Sequence, residues 1–169
     1  MNRTAKAFTL VEILVVVVIL GIIAAIVVPR FSNASAIARA SMMADDLRVM
    51  RMQVQVYRSQ HVGVSAGYVG GNPASVPTEE AFVAAMTLAS KATGETAAPR
   101  TAGYNYGPYL REMPPNPVNG KSTVQMIAND AAFPATADNS HGWIYQPQTQ
   151  VVRADCTGSD DTGKAYFDY

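Results

Sequence analysis

An apolar run near the N-terminus, residues 13–28, constrains this chain more than any other feature. Every residue in it is apolar or glycine, and residues 8–11 extend it upstream, with only Thr9 and Glu12 interrupting. A helix over residues 8–28 would rise about 30 Å, which is the thickness of one bilayer hydrocarbon core. Because lipid offers the backbone no hydrogen-bond partners, we expect this segment to be helical in a membrane. A buried helix of a soluble protein is the weaker interpretation.

Two membrane interpretations are open on the residues alone. One is a cleaved secretory signal, since residues 34–36 (A-S-A) resemble an A-x-A cleavage motif. The other is a retained anchor, which the length of the run favours, because the apolar core of a secretory signal usually has about 7–15 residues. Arg3 and Lys6 precede the run. This concentration of positive charge favours a cytoplasmic N-terminus.

Glu12 is the one charge inside the extended run. A carboxylate costs about 2–3 kcal/mol near the bilayer centre and less near the interface. Tolerance at the interface is therefore one explanation for Glu12, and a cationic partner within the membrane is the other. Cleavage between Ala7 and Phe8 would create such a cation, because the new amine would lie four residues away on the same helical face. That amine could belong to the same subunit or to a neighbour.

The stretch K-A-F-T-L-V-E, from Lys6 to Glu12, resembles the class III signal of type IV pilins and type II secretion pseudopilins when the apolar run follows it. The resemblance implies cleavage by prepilin peptidase after Ala7 and N-methylation of Phe8. It also implies that Glu12 pairs with the Phe8 amine of an adjacent subunit during assembly. Pro29 lies where the family often has a helix-kinking proline. Ala7 departs from the glycine usual before the cut, which predicts slower processing.

An amphipathic helix is predicted to follow the apolar run. Its apolar residues recur every three or four positions, at Ile37, Ala40, Ala44, Leu47, Met50, Val54 and Tyr57. Residues 8–58 would then form one nearly continuous helix of about 75 Å, bent at Pro29. We divide the chain into a leader (1–7), a membrane and polymerisation helix (8–29), an amphipathic stem (30–58) and a globular head (59–169). The methionines at 42, 43, 50 and 52 are predicted to pack in the core.

The head is predicted to be a small α+β unit packed on the stem, giving a pilin-like fold. We expect a loop over 63–77, a helix from Thr78 to about residue 92, and Gly94 ending that helix. An antiparallel hairpin is expected from strands 143–145 and 151–153, with a third short strand at 165–167. The motif G-P-Y-L at 107–110, followed by Pro114 and Pro117, resembles the major pseudopilins, the G subunits of type II secretion.

Four aspartates near the C-terminus are candidate metal ligands. Asp155, Asp160, Asp161 and Asp168 stand among glycines, and hard oxygen ligands on a flexible loop suit Ca²⁺. The resemblance implies a calcium-stabilised C-terminal loop, as in major pseudopilins. The spacing is looser than in a regular D-x-D-x-D-G loop. A solvated acidic tail is therefore the competing interpretation.

No catalytic arrangement is predicted. His61 and His141 are the only histidines and are interpreted as surface polar residues, and the single cysteine, Cys156, is interpreted as buried or inert. One cysteine also excludes an internal disulfide. With 13 basic and 13 acidic residues, the chain lacks the basic excess of a nucleic-acid binder, so no nucleic-acid partner is expected.

The resemblance implies a structural subunit that polymerises through its N-terminal helix into a periplasmic pseudopilus of a type II secretion system and so drives protein export. Its implied partners are copies of itself in a helical fibre, minor pseudopilins, an inner-membrane assembly platform, prepilin peptidase, and lipid before assembly. The implied location is the bacterial inner membrane, spanned once, with the N-terminus cytoplasmic and the head periplasmic. A type IV pilin for adhesion, motility or DNA uptake is the nearest alternative. A secreted or membrane-tethered small enzyme is the remoter one.

Overall fold

The computed structural model describes residues 9–169, and for residues 28–33 it describes the backbone only. Ala7, Phe8 and the side chain of Pro29 therefore lie outside the described residues. Helix α1 (Leu10–Gln60) contains 51 residues, a length of about 77 Å, and its helical backbone continues through position 29. Its first part, Leu10–Val27, is long and apolar enough to cross a membrane, and none of it is buried. The predicted long N-terminal helix is confirmed.

The second half of α1 packs on the head through one face. Its buried side chains include Leu47, Val54 and Tyr57, and this half of α1 meets the short helix and the last strand of the head. The large side chains that fill the rest of this core are Met43, Met50, Phe82, Met86, Val124, Trp143, Tyr145 and Val152. Spacings of three and four residues bring the buried side chains of α1 onto one side of the helix. The predicted α+β, pilin-like fold is confirmed.

Two methionines of the stem do not pack in this core. Met43 and Met50 are buried as predicted, but Met42 and Met52 are exposed. The packing predicted for Met42 and Met52 is therefore wrong. The reason is geometric, since these residues lie on the side of α1 that faces away from the head.

Helix α2 (Glu79–Thr87) is shorter than predicted. It begins as expected, with the Thr78 hydroxyl accepting a hydrogen bond from the Ala81 amide at 3.2 Å. It ends at Thr87 because strand β1 (Ala89–Ser90) pairs antiparallel with strand β2 (Thr96–Ala97). Gly94 lies in the turn between these strands and does not end the helix.

The main sheet has three strands, β3 (Val124–Met126), β4 (Trp143–Gln146) and β5 (Val151–Ala154). Strands β4 and β5 are antiparallel, which confirms the predicted hairpin. Strand β3 pairs parallel with β4 and was not predicted. The strand predicted at 165–167 is wrong. That segment is a 3₁₀ helix, Tyr166–Asp168, preceded by a single bridge between Ser159 and Ala165.

The G-P-Y-L motif joins α2 to the end of α1. The amides of Tyr109 and Leu110 both donate to the Met86 carbonyl at 2.8 Å, and the Tyr109 hydroxyl donates to Gln60 at 2.7 Å. Gly107 has φ +69°, and a Cβ there would lie 2.6 Å from the Leu88 carbonyl oxygen. The motif therefore requires glycine at its first position.

His61 ends α1 and is fully buried, so its predicted surface position is wrong. Its ring stacks on Tyr57, with centroids 3.7 Å apart. Its Nδ1 lies 2.6 Å from the Tyr57 carbonyl oxygen and its Nε2 lies 2.9 Å from Ser90 Oγ. Because a carbonyl can only accept, Nδ1 carries the proton and Nε2 accepts from the Ser90 hydroxyl. Burial lowers the pKa of His61 below its ordinary value.

Candidate functional site

The start of α1 is closed by a reciprocal capping box between Thr9 and Glu12. The Glu12 amide donates to Thr9 Oγ1 at 3.2 Å, while Glu12 Oε2 accepts from the Thr9 amide at 3.1 Å and from its hydroxyl at 3.0 Å. This arrangement satisfies two backbone donors that a helix start otherwise leaves open. Sequence reasoning missed Thr9, although the spacing T-x-x-E is the signature of such a box.

The capping box constrains what Glu12 can do. Its Oε2 atom is held by Thr9, and among the described residues Oε1 has no hydrogen-bond partner. Thr9 follows the predicted cleavage point between Ala7 and Phe8, so removal of residues 1–7 would leave the box intact. The carboxylate is thus held in one orientation with one oxygen available to a further donor.

The apolar half of α1 contacts nothing else in the described chain. All of its large side chains are exposed, and Leu20, for example, is 59% exposed. Large exposed apolar surfaces mark sites that contact membrane or protein. A helix that is apolar on all sides needs apolar surroundings on all sides. The described part of the head supplies none.

A second apolar surface, the outer stripe, continues onto the stem. We define it as Met42, Val49 and Met52, which are exposed and lie on the side of α1 opposite the head. Their spacings of seven and three residues place them on one helical face. Unlike the predicted apolar face of the stem, this one is not used by the head.

Asp155 is buried and saturated with donors. Its Oδ1 accepts from the amides of Asp138 and Asn139, at 2.9 and 3.2 Å. Its Oδ2 accepts from the Ser140 hydroxyl at 3.1 Å and from the His141 amide at 2.7 Å. A carboxylate offers about four acceptor positions. Asp155 therefore uses its capacity to hold the loop that precedes β4.

Asp160 organises the turn that follows. Its Oδ1 accepts from the Thr162 amide and hydroxyl, at 2.8 and 2.7 Å, and from the Lys164 amide at 2.9 Å. Its Oδ2 accepts from the Tyr169 hydroxyl. These hydrogen bonds, that of Tyr169 above all, lower the pKa of Asp160 to about 2. The same hydrogen bond raises the pKa of Tyr169 to about 12.

The four predicted calcium ligands do not converge. Asp168 forms an ion pair with Arg153 at 3.2 Å, and Asp161 is exposed with no hydrogen bond from the described residues. Within residues 9–169, no group of three or more His, Cys, Asp or Glu side chains is arranged to hold a metal ion. With Asp155 and Asp160 each bound by four protein donors, this donor set does not fit Ca²⁺ in the structure described.

Three of the remaining candidates for chemistry, His61, Ser90 and Cys156, are buried away from any substrate. His61 and Ser90 form a nucleophile-like pair, but both side chains are completely buried. Cys156 is buried as well, and burial raises the pKa of its thiol to about 11, so the thiol stays protonated and unreactive. The His141 side chain is half-buried, and among the described residues its ring contacts one hydrogen-bonding group, Ser140 Oγ, through Nδ1 at 2.7 Å.

Comparison with known proteins is consistent with this geometry. A model of the prokaryotic N-terminal methylation motif matches residues 2–28. Over 116 residues the chain is 31% identical to the type II secretion system core protein G of Pseudomonas aeruginosa, covering 69% of this chain and 70% of that protein. No solved structure matches the chain significantly.

Two further relatives carry the same name. The protein of Dickeya chrysanthemi is 27% identical over 117 residues, covering 69% of this chain and 65% of the relative. That of Klebsiella pneumoniae is 29% identical over 112 residues, covering 66% and 68%. The motif, the exposed helix and these relatives agree, and the chain belongs to the family of type II secretion system core protein G.

Proposed function

We propose that this chain is a structural subunit of the pseudopilus of a type II secretion system. One observation carries the proposal: a single helix is fully exposed and apolar along its first half and is built into a folded head along its second. Such a chain needs an external apolar environment for half of its longest element. Lipid provides it before assembly, and packing against neighbouring helices provides it in a fibre.

The role of this subunit is structural and not enzymatic. His61, Ser90 and Cys156 are buried, and the carboxylates of Asp155 and Asp160 accept hydrogen bonds that shape the head. The apolar half of α1 offers a packing surface and a single carboxylate, that of Glu12. These features suit polymerisation, in which the helices form the centre of a fibre and the heads its outside.

Glu12 is proposed to set the position of each subunit along the fibre. Prepilin peptidase would cut between Ala7 and Phe8, and the N-methylated Phe8 amine of a neighbour would approach the free Oε1 atom of Glu12. A charge pair in an apolar environment is strongly favoured over an unpaired carboxylate there. Thr9 supports this pairing because it holds the carboxylate in place.

The outer stripe extends the proposed assembly surface beyond the membrane segment. Met42, Val49 and Met52 continue the exposed apolar surface of α1 on the side that the head leaves open. The flexible side chains of methionine adapt to irregular apolar partners. We therefore include the stripe in the packing between subunits.

The proposed location is the inner membrane, crossed once by α1, with the N-terminus in the cytoplasm and the head in the periplasm. The charge of Arg3 and Lys6 supports this orientation. Other copies of the chain, minor pseudopilins and the assembly platform in the inner membrane are the proposed partners. Pro29 is proposed to bend α1 where it leaves the membrane.

Mass spectrometry of the mature protein tests the processing step. We expect the N-terminus to be N-methylated Phe8 when the chain is produced with a prepilin peptidase. A mature N-terminus near residue 37, as after cleavage of a secretory signal, would contradict the proposal. An uncut chain that still forms fibres would also contradict it.

Two substitutions separate the charge of Glu12 from its role in the helix cap. Glu12→Gln keeps an oxygen that accepts from Thr9 but removes the charge, whereas Thr9→Val removes the hydroxyl and keeps the charge. We expect Glu12→Gln to abolish fibres, measured by shearing and cross-linking, while the protein stays in the membrane fraction. Thr9→Ser, which retains the hydroxyl, is the matched control and should assemble. Normal fibres from Glu12→Gln would refute the pairing.

A further inference from the structure

The acidic loop of the head, residues 155–168, has the composition of a calcium site but the geometry of a metal-free one. A bound Ca²⁺ takes six to eight oxygen ligands, and carboxylates are its usual anionic ones. Here the two carboxylates at the base of the loop each accept four hydrogen bonds from the protein. Calcium could take either carboxylate only by displacing those donors.

Positive charge in the loop comes from the chain itself. The Lys164 ammonium lies 4.0 Å from the centre of the Tyr169 ring, whose hydroxyl donates to Asp160. The Arg153 guanidinium lies 4.7 Å from the centre of the Phe167 ring and pairs with Asp168. Two cations are thus held on aromatic faces at the loop, Lys164 within it and Arg153 beside it on β5. They lower the electrostatic attraction of this region for a divalent cation.

Tyr169 is also bound to the stem, through hydrogen bonds that do not involve the carboxylates of Asp155 and Asp160. Arg51 on α1 donates to the Val152 carbonyl at 2.8 and 3.1 Å and to the Tyr169 carbonyl at 2.6 Å. This places Tyr169 where its hydroxyl reaches Asp160. Tyr169 therefore contacts three groups: Arg51 of the stem, the Lys164 ammonium and the Asp160 carboxylate.

We propose that the C-terminal loop of this chain is fastened by Tyr169, Lys164 and Arg153 in place of a calcium ion, so that the stability of the head does not depend on calcium. The proposal concerns the fold of the head and stands whether or not the chain assembles as proposed above.

Thermal unfolding of the full chain in detergent tests the proposal directly. We expect the same Tm in excess CaCl2 and in EGTA. A site on the folded head filled at about a hundred times its Kd would raise Tm by about 5 °C or more in a chain of this size. Any reproducible rise with calcium would overturn the proposal, as would calcium binding to the wild-type chain detected by isothermal titration calorimetry.

Tyr169→Phe tests the assigned fastener. It removes only the hydroxyl that donates to Asp160, and Tyr166→Phe is the matched control, because no hydrogen bond of the Tyr166 hydroxyl exists among the described residues. We expect Tyr169→Phe to lower Tm equally in CaCl2 and EGTA, and Tyr166→Phe to leave it unchanged. Equal Tm values for the two variants, or restoration of Tyr169→Phe by calcium, would overturn the proposal. If Tyr169→Phe does not fold, the wild-type comparison decides.

Discussion

The two halves of α1 use similar residues for opposite purposes. Leu20 in the first half is 59% exposed, whereas Leu47 in the second is completely buried. The difference is in the arrangement, since the first half is apolar on all faces and the second alternates apolar and polar positions with helical period. A helix with one apolar face can bury that face against the head of the same chain. A helix that is apolar on all faces must be covered by lipid or by other chains.

The sharpest test of this difference is the same substitution in both halves. Leu47→Ala should lower the free energy of unfolding of the head by about 3 kcal/mol, because it leaves a cavity in the core. Leu20→Ala removes the same atoms where the described chain makes no packing contact, and should leave head unfolding unchanged. Urea unfolding of the full chain in detergent, followed by Trp143 fluorescence, measures both. Equal losses would show that the exposed half also contacts the head.

Mild acid should act on the packed half through His61. Burial holds the pKa of His61 below its ordinary value of 6.5, so the folded state favours the neutral ring. The unfolded chain takes up the proton near pH 6.5. The stability associated with the neutral ring is therefore complete above that pH and declines as the pH falls below it. This effect should be smaller than that of the core cavity.

Urea midpoints between pH 8 and pH 5 measure the effect of His61. His61→Gln should be less stable than the wild type at neutral pH, yet its stability should decline less towards acid. An unchanged pH dependence in His61→Gln would assign the decline to other groups.

The smallest expected effect lies where the packed half ends. Val62 has φ +55° and is 86% exposed, although a β-branched residue is strained in this left-handed conformation. Val62→Gly should raise the free energy of unfolding by about 1 kcal/mol, since glycine adopts this conformation without strain. Val76 is 73% exposed and has no positive φ, so Val76→Gly should give no gain. The same urea unfolding experiment compares the two variants.

The sequence predicted patterns within one helix, but it did not predict several contacts between separate segments of the chain. The stem and its apolar face followed from spacing. His61 could have been recognised as buried, because it continues the series Leu47, Val54, Tyr57 by one more turn. Strand β3 could not have been recognised, since it pairs parallel with β4 across a long connection and its three residues carry no pattern.

The errors in the head have a common cause. Residues 88–92 have helical composition, but backbone pairing of Ala89–Ser90 with Thr96–Ala97 and with Tyr106 overrides it. Residues 165–167 have strand composition, but the turn around Asp160 leads them into a 3₁₀ helix. At the candidate metal ligands, the sequence showed the carboxylates. It could not show that protein N–H and O–H groups would donate hydrogen bonds to Asp155 and Asp160.

The unbroken backbone of α1 has a mechanical consequence. A continuous helix of about 77 Å transmits a pull at its apolar end to the head, in part through the hydrogen bonds of Arg51 to Val152 and Tyr169. Proline has no amide hydrogen to donate, so one backbone hydrogen bond of the helix is missing at position 29. Bending strain during withdrawal from a bilayer should therefore concentrate at position 29. The head would then tilt relative to the apolar half of α1 while the helix stays continuous.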